Sequence, residues 1–213
     1  MSINTFVDQL AQTAVPRHVY NPYSYDRPAN DDRRHNLRRY LDQMIARQPR
    51  CLLVAEAPGY RGCRLTGVPF SSPHILQHGL DGVGLYGTQH GYRLPAEWPH
   101  IRREASATIV WQTLPRFERL PLLWNAFPFH PHRPGQPQSN RPPKTSELAL
   151  GQPFVTQLLV LFPIQTIVAV GNKAETALSR WGLDFVKVRH PSQGGKRAFQ
   201  RGLAEILVIN SEA

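Results

Sequence analysis

Cys51-Leu52-Leu53-Val54-Ala55-Glu56-Ala57-Pro58-Gly59, with Gly67-Val68-Pro69-Phe70 close behind it, is the stretch that decides the fold. Four apolar residues in succession read as a short buried strand, and the Pro-Gly pair ends it in a tight turn. A strand that delivers a carboxylate and then a turn to its carboxyl end is the usual layout of an α/β active site. Chemistry is therefore expected near residues 55–70. Two more polar signatures, around Asn125 and His190, also follow apolar runs.

Outward from this strand, the periodicities alternate. Residues 3–14 predict a short helix with Ile3, Phe6, Val7 and Leu10 on one side, after which Pro16, Pro22 and Pro28 impose an extended connection. Residues 35–48 predict a helix, with Leu37, Tyr40, Leu41, Met44 and Ile45 recurring at helical spacing. Arg33, Arg34, Arg38, Arg39 and Arg47 read as its basic face, turned to solvent or a partner. Residues 71–105 lack sustained periodicity and read as a long functional loop with short helical turns. Strands are expected at 51–56, 120–127, 165–170 and 185–188. Residues 128–144, crowded with Pro, His and Arg, form a basic loop after the second of these. A helical segment starts at Thr145 and runs to Phe162, with Pro153 a candidate break, and further helices follow at 174–181 and 196–207. Strands alternating with helices give an α/β fold, a three-layer α/β/α sandwich around a central, mainly parallel four-stranded sheet. Residues 1–213 are expected to form one domain, with 1–50 an amino-terminal helical and extended region.

Charge narrows the partners. With 25 Lys+Arg against 15 Asp+Glu, the chain carries a formal charge of +10. Neutralising phosphates releases condensed counterions, so such a balance favours nucleic acid. Only Cys51 and Cys63 occur, too few for a disulfide framework or a four-cysteine metal set. A reducing, cytoplasmic setting is expected. His74, His78, His90, His130 and His132 read as loop residues rather than as a zinc site. No apolar run approaches the ~20 residues needed to cross a bilayer, so no membrane partner is expected.

Loops from different strand ends converge on one crevice in such a sheet, so Glu56, Phe70, Asn125 and His190 are expected to share a site. An acid, an aromatic plate, an amide and an imidazole under a basic rim suit a planar heterocycle extruded from nucleic acid.

The chain resembles the uracil-DNA glycosylase superfamily, and in motif the branch carrying Gly-Glu-Ala-Pro-Gly. The matching pieces are Ala55-Glu56-Ala57-Pro58-Gly59, Gly67-Val68-Pro69-Phe70, Asn125, Asn140-Arg141-Pro142-Pro143, Val170-Gly171 and His190-Pro191-Ser192. The resemblance implies hydrolysis of the N-glycosidic bond of deoxyuridine in DNA without a metal or organic cofactor, by a monomer that flips the base out. Other deaminated bases remain open as substrates. The alternative is a catalytically weak or inactive nucleic-acid-binding protein of the same fold.

Under this resemblance His190 is the donor to uracil O2, and Glu56 orients a water or faces the sugar cation. Asn125 reads the O4 and N3–H pair, Phe70 stacks on the base, and Ala57, Gly59 and Tyr60 complete the base pocket. Ser192, Gln193, Gly194, Lys196 and Arg141 hold DNA phosphates, with Arg133, Lys144 and Arg197 beside them. The chain departs from the resembling branch in two places. Ala57 stands where several branches carry an Asp or Asn that handles water, and two cysteines cannot supply the branch's four-cysteine iron–sulfur cluster. Gln193-Gly194-Gly195 is no apolar wedge, which leaves Phe199, the 71–105 loop or a single-stranded substrate to account for flipping.

Overall fold

A computed structural model of the chain describes residues 1–94 and 101–211. The expected 71–105 loop lies partly outside the described residues. In chain order the elements are α1 (Ile3–Gln12), β1 (Val19–Tyr20), α2 (Asn30–Arg47), β2 (Cys51–Ala55), α3 (Cys63–Thr66), α4 (Pro73–His78), α5 (Ala105–Thr113), β3 (Leu122–Asn125), β4 (His130–Pro131), α6 (Thr145–Ala149), α7 (Gln152–Leu161), β5 (Thr166–Val170), α8 (Asn172–Arg180), β6 (Val186–Val188) and α9 (Lys196–Ser211).

Strands β2, β3, β5 and β6 form a parallel four-stranded sheet in the order β3-β2-β5-β6. With helices packed around it, this is the three-layer α/β/α arrangement. Every residue of β2 is buried, as a strand covered on both faces requires. Ala55 lies opposite Asn125, and Val170 opposite Val188, so the functional segments leave the sheet at one end. Strand β3 is an edge, and α2 covers it: the Leu123 N–H donates to the buried Tyr40 hydroxyl at 2.9 Å. Phe6 of α1 packs against Trp124 and Phe154, with ring centres 5.3 and 5.8 Å away, and ties the first helix to the sheet and α7.

Four local expectations are corrected. Helix α2 starts at Asn30, earlier than its apolar periodicity shows, which places Arg33 and Arg34 inside its first turns. Both are buried rather than turned to solvent. The Arg33 Nε donates to the carbonyls of Arg64 and Leu65, each at 3.0 Å, and Arg34 Nη1 donates to those of Tyr23 and Ser24 at 2.8 and 2.9 Å. Irregular backbone in a packed interior needs donors, and these guanidinium groups supply them. The segment from Thr145 breaks at Leu150-Gly151, and Pro153 sits in the first turn of α7, where a missing N–H costs nothing. Strands β1 and β4 pair antiparallel as a ribbon of two residues each, too short to leave a periodicity. Phe199 is fully buried in the core, so it cannot wedge a duplex. Among the described residues no helix is long and apolar enough to cross a membrane.

Candidate active site

A cavity of about 180 Å³ opens where β2 and β3 end. Its wall includes Ala57, Gly59, Phe70, Asn125 and His190, which the sequence places far apart. Glu56 is not among them. Just past β2 the Ala126 N–H donates to Ala55 O and the Phe127 N–H to Glu56 O, at 2.7 and 3.0 Å, which ties this bend to the residues after β3. Ala55 and Ala57 line the cavity, whereas Glu56 lines an adjoining depression that shares Ala57, Pro58, Gly59 and Asn140 with it and adds Arg141. One Glu56 carboxyl oxygen is buried there without a partner, and burial raises the group's pKa against the opposing pull of Lys173.

Asn125, the last residue of β3, is held by a relay of buried groups. The Tyr23 hydroxyl lies 3.0 Å from the Gly67 carbonyl, to which it donates, and 3.9 Å from Cys63 Sγ. The Asn125 Nδ2 donates to the same sulfur at 3.8 Å. Burial pushes the Cys63 thiol up to about 12, so the sulfur stays neutral. This contact points the amide nitrogen at Cys63 and leaves Oδ1 and the second N–H for a ligand.

His190 follows β6 and is half-buried. Its Nδ1 lies 2.7 Å from Ser192 Oγ and accepts the Ser192 N–H at 3.2 Å. A nitrogen that accepts a backbone N–H carries no proton, so the neutral ring holds its hydrogen on Nε2. Burial lowers the His190 pKa, Glu104 opposes that shift and Arg189 adds to it. Ser192, half-buried, thus holds the imidazole in place. Gly171, at φ +86°, lets the α8 turn pass this ring, because a Cβ there would meet His190 Cβ at 2.9 Å.

Phe70 has φ +50°, a left-handed conformation that disfavours residues with a Cβ. Its carbonyl accepts the Trp111 indole N–H at 2.8 Å, which helps hold the strained backbone. Strain of this kind gathers at ligand clamps.

The outer wall is a clasp. Asn140 Oδ1 accepts the Tyr60 N–H at 3.0 Å and lies 3.4 Å from His130 Nε2, which also contacts the Ser139 carbonyl at 3.0 Å. The Asn140 amide nitrogen is left pointing towards Gly59. Tyr60 does not line the cavity; its ring lies under Arg61, whose guanidinium carbon is 5.1 Å from the ring centre. Arg141 is held within the protein: Nη1 and Nη2 donate to the two oxygens of buried Glu147 at 2.7 and 2.6 Å. Lys196, Arg197, Arg133, Lys144, Gln193 and Gly194 are exposed, and the Lys196 ammonium donates to Gln112 at 3.0 Å.

Among the wall residues not singled out from sequence, Asn140 appeared only within a motif, Cys63 only in the cysteine count, and Glu104 lies in a stretch without periodicity. The four-cysteine cluster of the resembling branch does not fit this chain, since Cys51 and Cys63 are buried at opposite ends of β2. Among the described residues, no group of three His, Cys, Asp or Glu side chains gathers to hold a metal.

Comparison with protein families matches residues 41–212 to the uracil DNA glycosylase superfamily. The chain belongs to this superfamily, which makes it a member of a DNA glycosylase family. Among solved structures it is similar to wild-type SMUG2 of Pedobacter heparinus, with a TM-score of 0.67 at 15% identity over 99% of this chain and 98% of that one. At that identity the likeness carries the fold. No curated protein matches the chain.

Proposed function

We propose that the protein is a monofunctional DNA glycosylase that excises uracil, acting as a cytoplasmic monomer without a cofactor. The supporting observation is the cavity that gathers Phe70, Asn125 and His190, with an aromatic ring from the α3–α4 connection, an oriented amide at the end of β3 and an Nε2–H donor after β6. Phe70 stacks on the extruded base. Asn125 accepts uracil N3–H and donates to O4, a pattern that cytosine reverses. As the C1′–N1 bond breaks, its electron pair stays with the base, and His190 Nε2–H meets the charge that collects on O2. Water then bonds to C1′ and supplies the proton that the departing base finally takes. Exposed Lys196, Arg197, Arg133 and Lys144 supply charge for the phosphate backbone.

The test is release of base from single- and double-stranded oligonucleotides bearing uracil, hypoxanthine or xanthine, read as alkali-cleavable abasic sites. Uracil release is expected. A second reading, a protein that binds such DNA without cutting it, is favoured by Ala57 and by Glu56, which lines the adjoining depression, so that neither brings a polar group to the cavity. No product from any base, together with salt-sensitive binding, would establish it instead.

A further inference from the structure

The glycosylase reading leaves the cavity short of negative charge. The sugar becomes cationic as the base leaves, and enzymes that cut glycosidic bonds place a carboxylate where that charge develops. Ala57 has none to offer, and Glu56 lines the adjoining depression rather than the cavity itself. The acid that does line the cavity is Glu104.

Glu104 arrives from a third direction, as the residue that caps α5. Its Oε1 accepts the Ser106 N–H at 3.1 Å, and its Oε2 accepts the Ala107 N–H at 2.6 Å. Two backbone donors fix the carboxylate, and the positive end of the helix dipole favours its charge. The turn after β2 makes room for it, because a Cβ on Gly62 would meet Glu104 Cγ at 3.2 Å. Helix α5 also lies beside α9 through Lys196–Gln112 and Gln200–Thr113 contacts at 3.0 and 3.3 Å. The carboxylate therefore stands between the Gly59–Gly62 turn and His190, and it is the acid whose field reaches the imidazole. His190 faces O2, which adjoins the glycosidic nitrogen, whereas Asn125 reads the far edge of the base. Glu104 thus belongs to the sugar end of the cavity.

We propose that Glu104 is the carboxylate that stabilises the cationic sugar in the transition state, replacing a side chain absent at Ala57. This inference rests on the uracil-excision reading. The carboxylate accepts no proton and forms no bond in this role; it opposes the positive charge at C1′ while water attacks.

Two variants separate charge from capping. Glu104→Gln keeps the size and removes the charge, and Glu104→Ser keeps a preferred helix cap while removing the carboxylate. Both are expected to lower kcat on the order of 10²-fold with little change in KM, and Glu104→Ser is expected to keep the wild-type melting temperature. The decisive readout needs no turnover. An oligonucleotide carrying a cationic pyrrolidine in place of the deoxyribose is compared with one carrying an uncharged tetrahydrofuran. Wild type should prefer the cation, and either variant should lose that preference by about tenfold, the factor for a shift of 1.4 kcal/mol. If wild type releases uracil and the preference is the same in all three proteins, the role of Glu104 is overturned and the glycosylase reading stands. If wild type releases no base but the variants lose the preference, the glycosylase reading fails and the charge site stands.

Discussion

Replacing His190 with alanine tests the site most directly. Ser192 occupies the Nδ1 side of the ring, with contacts of 2.7 and 3.2 Å, so Nε2–H is the donor left for the cavity. The ring is withdrawn from water, where a preorganised donor is worth more than in solvent. Losing one such donor to a developing anion costs about 2.7–4 kcal/mol, which is on the order of 10²–10³ in kcat. Ser192→Ala makes the milder control. It removes the hydroxyl but keeps the backbone N–H that selects the tautomer, so about 1 kcal/mol, or roughly fivefold, should be lost. Single-turnover release of uracil from a short oligonucleotide measures both without interference from product release. A His190→Ala enzyme within threefold of wild type, or a Ser192→Ala enzyme slower than it, would refute the assignment of Nε2–H to the leaving base.

Other expectations follow from the same geometry. Burial pulls His130 down from 6.5 to about 4, with Arg64 adding to the shift and the Asn140 and Ser139 contacts opposing it. The folded protein therefore resists protonating it. Its contribution is complete above pH 6.5 and is lost as pH falls towards 4, by about 3 kcal/mol in all. Urea midpoints across that range should fall steeply in wild type and less so in His130→Phe. Glu147→Ala should cost about 3 kcal/mol by stranding the partly buried Arg141, measured by chemical denaturation at neutral pH. Lys196→Gln and Arg197→Gln should each reduce the slope of log affinity against log salt for duplex DNA by about 0.9 while leaving base preference unchanged.

The layer architecture was legible because β2 is apolar throughout, β5 is apolar after Thr166, and the intervening helices keep their spacing. Asn125 and His190 were legible for a related reason: each closes or follows an apolar run at one end of a parallel sheet, whereas Phe70 stood out by the Gly67-Val68-Pro69-Phe70 motif. Residues that depend on tertiary neighbours were not. Glu56 ends its apolar run just as visibly, but its place in the adjoining depression rather than the cavity depends on the bend after β2 and on Asn140 and Arg141. In a basic chain Arg33 and Arg34 read as a helix face turned to solvent or a partner, and Arg141 as a phosphate contact. Buried carbonyls and Glu147 claim them instead, and composition cannot reveal that demand. Glu104 meets His190 across 86 residues, a distance no local pattern spans.

The two-residue ribbon of β1 and β4 bears on how this chain tolerates trimming. The family match starts at residue 41, which suggests a natural place to cut. Yet β1 lies before that boundary and pairs with the strand that carries His130, which in turn steadies Asn140 and, through it, the Tyr60 turn beside the cavity. Tyr23, also before the boundary, reaches Cys63 and so the amide of Asn125. A fragment cut at residue 41 would keep every cavity-lining side chain and lose the scaffold that aims two of them.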